Sequence, residues 1–215
     1  MGKYKAYIFD FDLTLADSSK GILICFKHTL SEFGYPIPSD REIYNTIGMT
    51  LVDAFDELTG IPNNPQREEM RLVYVKKADE EMVRNTFFYD NTLAILQTLQ
   101  NAGVKVGIVS TKFRYRIEDT FKCQAGSFPV DEIVGGEDVS NAKPSPDGLN
   151  LIIERLKVNK CDVLYIGDSY IDAETAQNAG VDFAGVTTGS TSKIDFEKYH
   201  HIYIGKDLLD IFTAI

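Results

Sequence analysis

Short apolar runs recur along the chain, each cut off by a polar residue. They lie at Tyr4–Phe9, Val104–Val109, Val163–Ile166, Phe183–Val186 and Ile202–Ile204, with a weaker one at Ile133–Val134. Several are apolar on both faces, as strands buried from both sides are. Helical patterns with proper ends separate them. "NTLAILQTLQNAG" has Asn91 as a candidate N-cap and Gly103 as a stop. "SPDGLNLIIERLK" puts Ser145 at the N-cap and Pro146 at the first helical position. "SYIDAETAQNAG" stops at Gly180. This alternation predicts an α/β fold, a parallel sheet with helices on both faces.

The segment from about Ser18 to Asn85 breaks the alternation. It reads as helices near Ser19–Phe33, Asp40–Ile47, Leu51–Leu58 and Pro65–Val83, broken by "GYPIPSD" and "TGIPNNP". The last is a charged, solvated helix with an apolar stripe of Leu72, Val75, Met82 and Val83. The expected division is an α/β core from 1–16 and 87–215, with an all-helical domain, 17–86, inserted after the first strand.

A net charge of −10 argues against nucleic acid or an anionic membrane as the main partner. Cys25, Cys123 and Cys161 are odd in number and form no CxxC pair, which suits reduced thiols in a cytoplasmic protein. No apolar run is long enough to span a membrane, and Asp10 interrupts the first one before it could serve as a secretion signal.

In open α/β sheets, ligands bind beyond the carboxyl ends of the strands. The first run delivers Asp10 and Asp12 there, then Thr14. "VKVGIVSTK" delivers Ser110 and Thr111, the loop "NAKPSPDG" delivers Lys143, and "VLYIGDSYID" delivers Asp168 with Asp172 one helical turn on. Aspartate is a poor strand former, and a close carboxylate pair repels itself unless a cation or proton intervenes. Two acids from each of two strands can converge on one hard cation. Oxygen ligands suit Mg²⁺, which shares its sphere with a substrate phosphate. Such an ion would also let a chain of charge −10 receive an anion. Ser110 can bond one phosphate oxygen and Lys143 can neutralise another. One carboxylate near phosphorus can act as nucleophile, and a second can protonate the leaving oxygen and later deprotonate water. Each residue alone has a plainer reading: a solvated lysine, a strand-end hydroxyl, a first-turn acid favoured by the helix dipole. The ordered set points to phosphoryl transfer.

"DFDLT", "ST", "KPSP" and "GDSYID", in that order, resemble the haloacid dehalogenase superfamily of phosphohydrolases, from the first strand nearly to the C-terminus. The helical insert sits where that superfamily carries a helical cap. Within it the chain is most similar to the phosphoglycolate phosphatase-like branch, which includes pyrophosphatases and β-phosphoglucomutases. The resemblance implies a Rossmann-like core, with Asp10 as nucleophile and Asp12 as general acid/base. It implies Mg²⁺ held by Asp10, the Asp12 main-chain carbonyl and Asp168, with Asp172 in support. Ser110 and Lys143 would hold the phosphate, with Thr111 adjacent. An acid at the place of Asp12 favours phosphoryl transfer over C–Cl or C–P cleavage. In relatives a cap loop reads the substrate; here it would be Gly48, Met49 and Thr50. Two places depart from the pattern. Leu13 stands where the commonest motif has Gly, and Asp90-Asn91 stands where many relatives have Pro-Gly at a hinge.

The expectation is a Mg²⁺-dependent phosphatase acting on a small phosphorylated metabolite through an aspartyl-phosphate, a phosphoglycolate-type monoester first. A phosphomutase or pyrophosphatase of the same branch is the alternative. A regulatory protein that accepts phosphate without turnover is the rival from another class, and Asp12 speaks against it.

Overall fold

A computed structural model describes residues 3–215. The first strand, β1 (Ala6–Phe9), is apolar on both faces. Tyr7 and Phe9 enter one apolar cluster, while Ala6 and Ile8 enter the cluster on the opposite face. The chain then leaves through β2 (Ala16–Asp17) into four helices. These are α1 (Ser19–Glu32), α2 (Asp40–Asn45), α3 (Leu51–Thr59) and α4 (Arg67–Glu81). It returns through β3 (Phe87–Phe88), which pairs antiparallel with β2: Ala16 faces Phe88 and Asp17 faces Phe87.

Strand and helix then alternate. The elements are α5 (Thr92–Asn101), β4 (Lys105–Val109), α6 (Arg114–Gln124), β5 (Glu132–Val134), α7 (Asp147–Leu156), β6 (Val163–Gly167), α8 (Tyr170–Ala179), β7 (Asp182–Val186), α9 (Lys193–Phe196), β8 (Tyr203–Gly205) and α10 (Leu208–Ala214). Six strands form one parallel sheet in the order β5-β4-β1-β6-β7-β8. The order reverses direction at β1, so the crevice between β1 and β6 is the topological switch point.

The four inserted helices bury a cluster of their own, in which Phe26, Phe55 and Tyr74 pack ring against ring. One member comes from outside the inserted segment: Leu13, from the loop after β1. Its φ is 59°, in the left-handed region that disfavours a side chain, and Asn91 likewise has φ 68°. Both departures from the family's glycine pattern therefore fall on backbone that glycine would adopt freely. Burial of Leu13 among the inserted helices offsets the strain there.

Two local expectations need correction. In α4 the buried side is Met70, Tyr74 and Ala78, continued by Met82, whereas Leu72 is 59% exposed. Spacing of four through a Met, a Tyr and an Ala carries the face, and the charged residues between hide it. Helix α7 starts at Asp147, with Pro146 rather than Ser145 at its N-cap; the Ser145 hydroxyl accepts from the Asp147 amide at 3.4 Å. Asn91 does sit at the N-cap of α5, but it makes no side-chain cap bond. Among the described residues, no helix is long and apolar enough to cross a membrane.

Candidate active site

The Asp10 amide donates to the Ile166 carbonyl at 2.9 Å, so the ladder between β1 and β6 runs up to the first acid. Its carboxylate is buried, and so is that of Asp168 just past the end of β6. Thr14 Oγ1 donates to Asp168 Oδ1 at 2.9 Å. Asp172 lies in the first turn of α8 and closes a capping box with Ser169. Its Oδ2 accepts from the Ser169 amide at 3.1 Å and hydroxyl at 2.6 Å; its Oδ1 accepts from Tyr165 Oη at 2.8 Å and Lys143 Nζ at 2.7 Å. Both oxygens of Asp172 thus accept hydrogen bonds, one of them from Lys143. Carboxylate oxygens of Asp10, Asp168 and Asp172 lie within 4.8 Å of one another.

Lys143 Nζ also approaches Asp10 Oδ1 to 3.0 Å, but off the hydrogen-bonding direction, and that buried oxygen has no hydrogen-bond partner. Two buried carboxylates, Asp10 and Asp172, therefore share one lysine, with Asp168 close by. Burial pushes the Asp10 pKa up; Lys143 opposes this, Asp172 and Asp12 add to it, and the result is about 6. Burial, then Asp172 and Asp10, push Asp168 well above the ordinary carboxylate range. Burial acts against the charge on Lys143, but Asp10 and Asp172 outweigh it and raise its pKa.

Asp12 turns away from this group. Its Oδ1 accepts from the Ser18 hydroxyl and from Lys112 Nζ, the latter at 2.5 Å. Lys112 is buried and was not singled out by the sequence reading. Ser110 is buried at the end of β4, and its hydroxyl accepts the Lys112 amide at 3.3 Å. Thr111 is half-buried and lines a cleft of about 80 Å³ together with Asp12, Lys112, Gly48 and Met49. Gly48 has φ 101°, and a Cβ there would lie 3.6 Å from Ser169 Oγ, so this loop of the insert reaches the strand ends. Thr50 does not join it: its hydroxyl caps α3, accepting from the Asp53 amide at 3.2 Å.

The family model for haloacid dehalogenase-like hydrolases matches residues 7–186. The chain belongs to that family. It is 33% identical to pyrophosphatase PpaX of Listeria innocua over 86% of this chain and 84% of that protein. It is 28% identical to pyrophosphatase PpaX of Oceanobacillus iheyensis over 98% of this chain and 96% of that one. A crystal structure from Bacteroides fragilis, described as a haloacid dehalogenase-like hydrolase, is 47% identical with a TM-score of 0.93, covering 96% of this chain and 98% of that chain.

For a haloacid dehalogenase-like hydrolase, the question is whether these residues fit a metal ion. They do on two counts. Asp10 Oδ1 is a buried acceptor without a donor, in a carboxylate-rich set that suits a hard cation. Across from it, the loop after β7 passes so close that a Cβ on Gly189 would lie 1.9 Å from Asp168 Oδ2. Only glycine leaves that oxygen its room. The next residue back, Thr188, donates its hydroxyl to the Leu13 carbonyl, tying this loop to the one that carries Asp12. Neither Thr188 nor Gly189 stood out in the sequence, because "VTTGS" reads as an ordinary strand-end turn.

Proposed function

We propose that the chain is a Mg²⁺-dependent phosphatase acting on a small phosphorylated metabolite through an aspartyl-phosphate. The observation that supports it most is the buried Asp10 Oδ1, without a hydrogen-bond partner and 3.0 Å from Lys143 Nζ. An oxygen so placed, paired in charge with Lys143 but without a hydrogen bond, keeps a lone pair for a phosphorus atom or a cation. Asp10 attacks phosphorus as the bond to the ester oxygen breaks, and Asp12 gives that oxygen a proton. In the second half, Asp12 takes a proton from water, which attacks phosphorus and frees Asp10 and inorganic phosphate. Ser110 and Lys143 hold the non-bridging oxygens, with Thr111 beside them, and Asp172 keeps Lys143 in place. Mg²⁺, held by Asp10, Asp168 and the Asp12 carbonyl, would neutralise charge on the transferring group. Residues 17–86 act as a cap that excludes bulk water, and Gly48 and Met49 present its loop to the substrate.

Two leaving groups compete. An organic alcohol, with glycolate as the first case, follows from the resemblance in the sequence; inorganic phosphate follows from the relatives named as pyrophosphatases. Phosphate release from both kinds of compound, with and without Mg²⁺ and with Asp10→Asn as control, tests the reaction. Metal-dependent release that the substitution abolishes is expected. Release that survives Asp10→Asn, or needs no metal, would sink the mechanism.

A further inference from the structure

The cleft beside Asp12 limits what can leave. It holds only about 80 Å³. Its wall on the insert side is mostly apolar, with Ile22, Phe26, Met49, Leu51 and Met82; Thr46 and Gly48 also line it, and the Thr46 hydroxyl donates to the Ile43 carbonyl at 2.8 Å. The core contributes Asp12, Thr111, Lys112, Phe113 and Arg116. Two of these are cations, and both are already committed. Lys112 Nζ is 2.5 Å from Asp12 Oδ1. Arg116 Nη2 donates to Asp79 Oδ1 and to the Val75 carbonyl, each at 2.8 Å. A second phosphoryl group in this cleft would face mostly hydrocarbon, the hydroxyls of Thr46 and Thr111 and two spoken-for cations, and an ionised group is not buried cheaply in that setting. Glycolate fits little better, because its carboxylate would lie against the same wall and its two carbons would cover little of it.

We infer that the leaving alcohol carries a short apolar body that packs on this wall while its ester oxygen meets Asp12. The preferred substrates are small aliphatic or aromatic phosphomonoesters, ahead of both pyrophosphate and phosphoglycolate. The inference rests on the phosphatase reading above. It also explains why the cleft opens on the side of Asp12, the acid that serves the leaving group, and not on the side of Asp168 and Lys143.

The test is kcat/KM, with Mg²⁺ present, for pyrophosphate, phosphoglycolate and the n-alkyl phosphates from methyl to hexyl. Each added methylene that reaches the wall should raise kcat/KM about fourfold, the ratio that burial of one methylene yields. The rise should end in a maximum once the cleft is full, with the best ester about tenfold or more ahead of the two anionic compounds. Leu51 is half-buried on the wall, and Leu51→Ala should move the maximum to a longer chain. The n-alkylphosphonates, which bind without being cleaved, should show inhibition constants that fall with length in the same steps. A flat series, or pyrophosphate or phosphoglycolate equal to the best ester, overturns the inference and leaves the phosphatase standing. No turnover of any compound overturns both.

Discussion

The two sides of the candidate site are built by opposite means. On the sheet side, Asp10, Asp168, Asp172 and Lys143 are buried; hydrogen bonds tie Thr14 to Asp168 and Lys143 to Asp172, and an ion pair at 3.0 Å brings Lys143 to Asp10. On the insert side, Ile22, Phe26, Met49 and their neighbours present apolar surface with no directional demand. The insert meets the core through a few polar clasps, among them Tyr44 Oη to the Thr188 carbonyl at 2.8 Å and Arg116 to Asp79. Charged groups must hold position closely for chemistry, whereas apolar surfaces can be repacked at small cost if volume is kept. On the phosphatase reading proposed above, reaction type and substrate choice would fall to parts that can change independently.

The sharpest way to break this contrast is Asp10→Asn. Loss of the nucleophile should lower phosphate release by roughly 10⁴-fold or more, while thermal unfolding holds or improves because one buried charge is gone. Activity within tenfold of the unmodified protein would reassign the chemistry. Next comes Lys143→Met, which leaves Asp10 and Asp172 buried without their cation. Urea unfolding should show a loss of about 3–5 kcal/mol. A loss below about 1 kcal/mol would mean that the sheet side is not held by this lysine.

Gly189→Ala should push the added methyl onto Asp168 Oδ2. Calorimetric titration with Mg²⁺ should then give an affinity about 10–100-fold weaker, and unchanged affinity would remove Asp168 from the ion's ligands. A pH series sharpens the same side without mutation. The Asp10 pKa is raised from 3.8 to about 6, so its neutral form is the one favoured in the fold. Its contribution to stability is full below 3.8 and is lost as pH rises through about 6. In metal-free protein the melting temperature should therefore carry a falling component across that window, and added Mg²⁺ should stabilise more at pH 7 than at pH 5. The smallest effect belongs to the insert side. The Asp79 side chain is 52% exposed but Arg116 is 6% exposed; the amide oxygen introduced by Asp79→Asn can still accept from the guanidinium, so the loss should be about 1–2 kcal/mol. A loss on unfolding above about 3 kcal/mol would show that the charge on Asp79, not only its hydrogen bond, holds the buried Arg116.

The sheet and its acids were legible because one pattern carried both: an apolar run of strand length that ends in an aspartate. Asp10 and Asp168 each close such a run, and the parallel order then places the two runs side by side. Lys112 was not legible. A lysine after a strand-end hydroxyl pair looks like any solvated lysine, and its partner Asp12 lies a hundred positions away. Gly189 was hidden for the same reason, since what requires glycine there is a carboxylate on another strand. The buried face of α4 was misread because Leu72 is more apolar than Tyr74 or Ala78, yet the helix turns it outward. Periodicity read through hydropathy alone follows the strongest residue, not the phase set by packing.

The pairing of β2 with β3 has one more consequence. Departure and return of the chain lie on neighbouring rungs, Ala16 against Phe88 and Asp17 against Phe87. Adjacent strands run about 4.8 Å apart, a gap that a two-residue turn can close. To the sheet, everything between them is therefore a single splice. A different helical module could be exchanged there without shifting the register of β1 or β4, provided that it still covers Leu13, so on the proposed reading one recombination event could change the diet of this molecule and keep its teeth.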